Sequence, residues 1–234
     1  MLTRSTAGDD ADTMFGYGGN DTLFGENGND TMVGGEGADL FSGGAGSDRA
    51  SYSAATTGLV ISLLTPSLNT GEAKGDTYDG LENLSGSNFS DSLYGNTVAN
   101  AISGAAGNDV IRGFGGSDTL TGGVGNDTFV FNTALSANVN VNVDTITDYN
   151  VISDTMQLEN AIFTTLTTPG VLVATAFVMN ATGVAADGSD RIIYETDTGN
   201  VFYDRDGNSA SFAGVQFAKL APGLAITNAD FFII

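Results

Sequence analysis

Near the start of the chain an acidic residue recurs at a nine-residue interval: Asp12, Asp21, Asp30, Asp39 and Asp48. The same interval returns further on, with Asp91, Asn100, Asp109, Asp118 and Asp127 in the equivalent slot. Each follows a glycine-rich tetrad or a worn copy of one. The clearest copies, Gly34-Gly35-Glu36-Gly37-Ala38-Asp39-Leu40-Phe41-Ser42 and Gly43-Gly44-Ala45-Gly46-Ser47-Asp48-Arg49-Ala50-Ser51, fit the pattern G-G-x-G-x-D-x-U-x in which U is apolar. A regular row of carboxylates set among glycine carbonyls suits calcium. That ion takes roughly 6–8 oxygens at about 2.3–2.6 Å and accepts carboxylates mixed with backbone carbonyls.

Two kinds of element must hold such a row. The glycine half needs positive φ and inward-pointing carbonyls, which glycine allows without a Cβ penalty. The candidate glycines are Gly16, Gly19, Gly25, Gly28, Gly35, Gly37, Gly44 and Gly46 in the first block and Gly104, Gly107, Gly113, Gly116, Gly123 and Gly125 in the second. The x-U-x half reads as a short strand with one inward side chain: Met14, Leu23, Met32 and Phe41, then Leu93, Ile102, Ile111, Leu120 and Phe129. Two nonapeptides make one eighteen-residue coil, and coils stack as parallel strands about 4.8 Å apart. Asp12 then lies over Asp30, Asp21 over Asp39, Asp30 over Asp48, and Asp109 over Asp127. Two carboxylates about 5 Å apart repel by roughly 3 kcal/mol at an effective dielectric near 20. A whole domain is stable by only about 5–15 kcal/mol, so the blocks are predicted to stay unfolded until calcium binds.

These repeats resemble those of the RTX (repeats-in-toxin, hemolysin-type) calcium-binding proteins, which Gram-negative bacteria export. The resemblance covers residues 7–51 and 86–130. It implies an all-β fold: a right-handed parallel β-roll of calcium-binding nonapeptide repeats. It also implies several Ca2+ ions, each shared by the aspartate of one turn and its equivalent two repeats on and completed by glycine-turn carbonyls, and it implies a secreted, extracellular protein with a type I secretion exporter as partner. Some copies depart from the pattern. Ala7 and Asp10 replace glycines in the first turn, Tyr17 replaces one in the second, Phe89 and Val98 take the fourth position of theirs, and Asn100 lacks the charge. Full sites are expected in the middle of each block, with weak or absent ones at Asp12, Asp91 and Asn100.

With 28 acidic and 7 basic residues the net charge is -21, and the Lys/Arg footprint that nucleic acid requires is missing. Cysteine and histidine are both absent. That removes disulfides, zinc-thiolate sites, thiol catalysis, the Ser-His-Asp arrangement and the H-E-x-x-H helix. The chain is read as not an enzyme, its repeat carboxylates being committed to metal. No apolar run of eighteen residues offers a transmembrane helix, and membrane insertion is not expected. Residues 1–6, read as a leader, lack the apolar core of a secretory signal. The tail Asp230-Phe231-Phe232-Ile233-Ile234 resembles the C-termini of type I secretion substrates, where an acidic residue precedes several apolar ones.

Residues 52–85 interrupt the period. They are expected to continue the roll as irregular rungs, with strands over 58–64 and within 75–87. From residue 131 to 234 the glycine density falls, and the segment reads as a β-rich cap that covers the open strand edges of the roll and carries the export signal. Val139, Val141 and Val143 alternate with Asn140, Asn142 and Asp144, as in a half-buried strand. Residues 192–196 and 201–203 flank Asp197-Thr198-Gly199-Asn200 as a hairpin, and 171–179 and 212–220 supply further strands. Asp144 and Asp148 resemble a last calcium-linked turn of the family. Asp204 and Asp206 place oxygens at alternate positions beside Gly207, as loop-type calcium sites do, and 187–190 reads as a turn.

Two functions fit. One is a secreted calcium-binding β-roll protein with a structural, adhesive or host-interaction role. The other is the C-terminal export and folding module of a larger secreted enzyme such as a lipase, protease, polysaccharide lyase or epimerase, with extracellular polysaccharide or a cell surface as candidate partner. A pore-forming toxin fits poorly, because no long amphipathic or apolar segment is present.

Overall fold

The computed structural model describes residues 4–135, 142–209, 211 and 213–234. The nonapeptide period appears directly as strand register. Thr13–Phe15 pairs in parallel with Thr31–Val33, Met14 against Met32. Ala101–Ser103 pairs with Thr119–Thr121, Ile102 against Leu120. Each partner lies eighteen residues on, so two nonapeptides make one coil and alternate strands fall on alternate faces. One face is a sheet of eleven strands that runs unbroken from Thr13–Phe15 through both repeat blocks into the C-terminal segment. The other face is divided into a four-stranded sheet over the first block and a seven-stranded sheet over the second. The molecule is a parallel β-roll.

A single apolar side chain per strand fills the interior. Met14, Leu23, Met32 and Phe41 are buried, as are Leu93, Ile102, Ile111, Leu120 and Phe129. Burying a side chain of this size contributes about 1.5–3 kcal/mol, and each coil has only two, so the core alone is thin for the number of residues it must order.

The insert explains why one face is split. From Arg49–Ser51 the chain moves ahead to Val60–Ser62, which starts the seven-stranded sheet beneath Ser92–Tyr94. It then turns back through two short 3-10 helices, Pro66–Leu68 and Gly71–Ala73, to Thr77–Asp79, which closes the four-stranded sheet against Leu40–Ala45. Asn83–Ser85 joins the long sheet between Arg49–Ser51 and Ala101–Ser103. Where the sequence suggested one strand in 75–87, there are two.

In the C-terminal segment parallel pairing continues, as between Thr155–Leu158 and Phe231–Ile233, and antiparallel pairs join it. Ile192–Glu195 and Asn200–Tyr203 form the expected hairpin, and Asn200–Tyr203 pairs antiparallel with Val215–Lys219. The span 171–179 is not one strand. It breaks into Gly170–Val171, a 3-10 turn at Ala174–Ala176, and Phe177–Asn180, with the turn closed by Ala176 N–H on Val173 O. The alternation at Val139, Asn140 and Val141 lies outside the described residues, as do Phe212 and residues 1–3 of the leader; the described strand nearest that alternation is Asp144–Ile146. The tail strand Phe231–Ile233 sits between Thr155–Leu158 and Gly170–Val171, with Phe231 and Ile233 buried. No helix among the described residues is long and apolar enough to cross a membrane.

Candidate metal centre

Stacked turns bring the repeat carboxylates into two columns with one recurring contact. The backbone N–H of Asp12 donates to Asp30 Oδ1 at 2.8 Å, that of Asp21 to Asp39 Oδ1 at 2.7 Å, and that of Asp30 to Asp48 Oδ1 at 2.8 Å. In the second block Asp91 N–H donates to Asp109 Oδ1, Asn100 N–H to Asp118 Oδ1 and Asp109 N–H to Asp127 Oδ1, at 2.8–2.9 Å. One oxygen of each carboxylate is thereby fixed. The other is left over: Oδ2 of Asp30, Asp39, Asp48, Asp109, Asp118 and Asp127 is buried with no hydrogen-bond partner. An uncompensated buried carboxylate oxygen is costly, and a row of six demands a common explanation.

Carbonyls lie close to several of those oxygens. A Cβ placed on Gly25 would fall within 3.0 Å of both Asp30 Oδ2 and Gly43 O, and one on Gly104 within 3.0 Å of Asp109 Oδ2 and Gly122 O. The space above the first glycine of these repeats, as above Gly43, is therefore shared by a carboxylate oxygen and a carbonyl from the next coil. This is an oxygen cradle, and its contents fit calcium. Gly34, Gly43, Gly86, Gly95 and Gly122 hold the same position against Asp39, Asp48, Asp91, Asn100 and Asp127, although none of them is among the candidate glycines. The expected glycines Gly19, Gly28, Gly35, Gly37, Gly44, Gly46, Gly107, Gly116, Gly123 and Gly125 all have positive φ, which turns their carbonyls; Gly16, Gly25, Gly104 and Gly113 are first glycines of the cradle type. Tyr17, Glu26, Ala105 and Phe114 replace glycine at the second position and still adopt φ of 68–77°.

The electrostatics agree. Burial pushes Asp109 up to about 7, and the Asp127 and Asp91 carboxylates push the same way against a hydrogen bond from Asp91 N–H. Burial likewise raises Asp39, Asp48 and Asp127, opposed by the N–H of Asp21, Asp30 and Asp109 respectively. Asp118 and Asp144 form a buried pair in which both carboxyls are raised, first by burial. Without a cation these groups resist ionisation.

The columns extend past the periodic repeats through residues that the spacing hides. Asp76 takes the place above Asp39, Glu82 that above Asp48, Asp144 that above Asp118 and Asp154 that above Asp127. Asp148 accepts from Gly122 N–H and Gly123 N–H over the last glycine turn. Asp12 is exposed at the open end. Asp91 and Asn100 lie in the columns, but their side-chain oxygens are occupied by protein donors. Asp204 and Asp206 stand apart in the C-terminal segment. There Asp204 Oδ1 accepts from Asp206 N–H and Gly207 N–H, each at 3.1 Å, and burial raises its carboxyl. Among the described residues no three acidic side chains converge on one point, so carbonyls must complete any site in the roll.

The family model of the RTX calcium-binding nonapeptide repeat matches residues 6–41, 15–50 and 94–129. Among solved structures, the chain aligns over 99% of its length with the extracellular lipase LipA from Serratia marcescens, at 17% identity and a TM-score of 0.27. It spans 40% of that lipase chain. It aligns over 62% of its length with the AlgE6R3 subunit of the Azotobacter vinelandii mannuronan C5-epimerase, at 19% identity and a TM-score of 0.25, spanning 78% of that chain. No curated protein matches. Residues 6–50 and 94–129 thus match the RTX calcium-binding nonapeptide repeat, a repeat that binds Ca2+.

Proposed function

We propose that the chain is a secreted protein or module that leaves the cell unfolded through a type I exporter and folds on meeting extracellular calcium, with a structural, adhesive or host-interaction role outside. The observation that carries this reading is the row of buried, unpartnered Oδ2 atoms. Those oxygens oppose the metal-free roll and favour the loaded one, so calcium concentration decides the folded state. Extracellular calcium modules have dissociation constants of about 0.1–1 mM, far above the free calcium expected of a cytosol. The ligands we assign are Asp30, Asp39, Asp48, Asp109, Asp118 and Asp127 with the cradle carbonyls, and Asp144 and Asp148 at the last turn. Asp204 and Asp206 are a separate candidate loop site.

The reading treats the roll as non-catalytic. The tail fits it in a specific way. Phe231 and Ile233 are buried in the folded cap, so an exporter reading residues 230–234 must do so before folding. The test is secretion of the chain with and without residues 230–234 by a matching type I exporter, with calcium binding measured on both. Loss of secretion with calcium binding to the repeats retained supports the proposal. Undiminished secretion of the truncated chain overturns the export role of the tail.

A further inference from the structure

The turns of the columns fall into two kinds, and the difference lies in which backbone group faces the acidic side chain. In the calcium type the second and fourth positions have positive φ, as at Gly35 and Gly37 or Gly123 and Gly125, and the acid keeps a bare Oδ2. In the turn 86–91 neither Ser87 nor Phe89 has positive φ. Ser87 N–H donates to Asp91 Oδ2 at 2.6 Å, the Ser87 hydroxyl adds a bond at 3.0 Å, and Leu59 N–H takes Oδ1 at 2.7 Å. The turn 95–100 repeats the design. Asn96 N–H donates to Asn100 Oδ1 at 2.8 Å, while the Asn100 amide donates to Glu82 O at 2.9 Å, placing a hydrogen-bond donor where a cation would otherwise bridge two oxygens. It appears again at the end of a column: Asn150 N–H donates to Asp154 Oδ2 at 2.9 Å and Asp127 N–H to Oδ1 at 3.1 Å. In all three the second-position side chain accepts from the N–H of an apolar fourth residue, Phe89, Val98 or Ile152.

An N–H aimed at the carboxylate carries the partial positive charge that calcium would supply, and it cannot coordinate a cation. We propose that the motif Ser/Asn-x-apolar-x-Asp/Asn marks turns that replace calcium with backbone donors, so that the roll carries two separate calcium arrays, around Asp30, Asp39 and Asp48 and around Asp109, Asp118 and Asp127, joined by a metal-free seam. Asp76 belongs to the seam by another route, since Tyr52 Oη donates to its Oδ2 at 2.6 Å and Asp39 N–H to its Oδ1 at 2.8 Å. The inference rests on the calcium reading of the repeats and adds where the ions stop. The seam coincides with the insert and the first two turns after it, where the split face changes sheets, so the junction is held in shape by bonds that do not depend on calcium.

Counting bound ions by native mass spectrometry at saturating calcium tests this. Ser87→Gly combined with Phe89→Gly restores G-G-x-G-x-D at 86–91 and is expected to raise the count by one. Asp91→Asn is expected to leave the count unchanged, whereas Asp109→Asn lowers it. A double variant that folds and gains no ion overturns the proposal, as does an Asp91→Asn chain that loses ions as Asp109→Asn does. If the double variant fails to fold, the comparison of Asp91→Asn with Asp109→Asn decides alone. An Asp109→Asn chain with an undiminished count overturns the calcium reading itself, and the seam with it.

Discussion

Gly104→Ala isolates the cradle from every other feature of the roll. Gly104 does not have positive φ, so alanine fits the backbone there. The added methyl, however, falls within 3.0 Å of Asp109 Oδ2 and Gly122 O, the two oxygens that face one another across the coil. The carboxylate cannot swing away freely, because Oδ1 is held by Asp91 N–H at 2.8 Å. Overpacking of this kind costs about 1–3 kcal/mol. At calcium tenfold above a site's dissociation constant, one bound ion contributes RT ln 11, about 1.4 kcal/mol. Losing the site and straining the turn should therefore destabilise the loaded roll by about 2–4 kcal/mol. The assay is urea unfolding followed by circular dichroism at fixed, saturating calcium. Gly8→Ala is the control, since nothing lies within 4 Å of a Cβ there, and its change should stay within about 0.5 kcal/mol. A Gly104→Ala shift no larger than that of Gly8→Ala, with the ion count unchanged, would refute the cradle.

Central aspartates should outweigh the exposed terminal one: Asp109→Ala, which removes a buried Oδ1 and Oδ2, should raise the calcium midpoint severalfold, while Asp12→Ala leaves it nearly unmoved, and equal midpoints in a dichroism titration would contradict the stacked columns. Protons should partly substitute for calcium. The folded carboxyl of Asp109 is raised to about 7 from 3.8, so its contribution to the metal-free roll is fully present below about 3.8 and is lost as pH rises through about 7. In chelator, β-content should accordingly increase on going from pH 8 to pH 5, whereas in calcium the same change should weaken ion binding by competition; a metal-free spectrum that is flat across that range counts against the raised carboxyls.

The period of nine was enough to place Met14, Phe41, Ile111 and Phe129 in the core and to stack Asp109 on Asp127, because register in a roll follows from repeat length alone. Asp76, Glu82 and Asp154 were not legible. They enter the columns 37, 34 and 27 residues after their partners, spacings set by how far the insert and the last turn wander before returning. The distinct role of the first glycine, as at Gly104 and Gly122, was hidden because the motif shows glycines alike, whereas the structure separates those needed for φ from those needed for room. Phe89 and Val98 looked like decay of the repeat. They mark a different turn, recognisable only once the N–H directions of Ser87 and Asn96 are seen. In the cap, the apolar content of 171–179 points to one strand and masks the local turn at Ala174–Ala176.

The measurement that bears most directly on calcium as the agent of folding is a far-ultraviolet circular dichroism titration of the whole chain, begun in chelator and continued into millimolar calcium, with magnesium in parallel. The buried Oδ2 row predicts a largely disordered chain in chelator, a cooperative gain of β-structure at about 0.1–1 mM calcium, and little response to magnesium, which demands a tighter octahedron and keeps its water. A spectrum already β-rich in chelator and unchanged by calcium would contradict it.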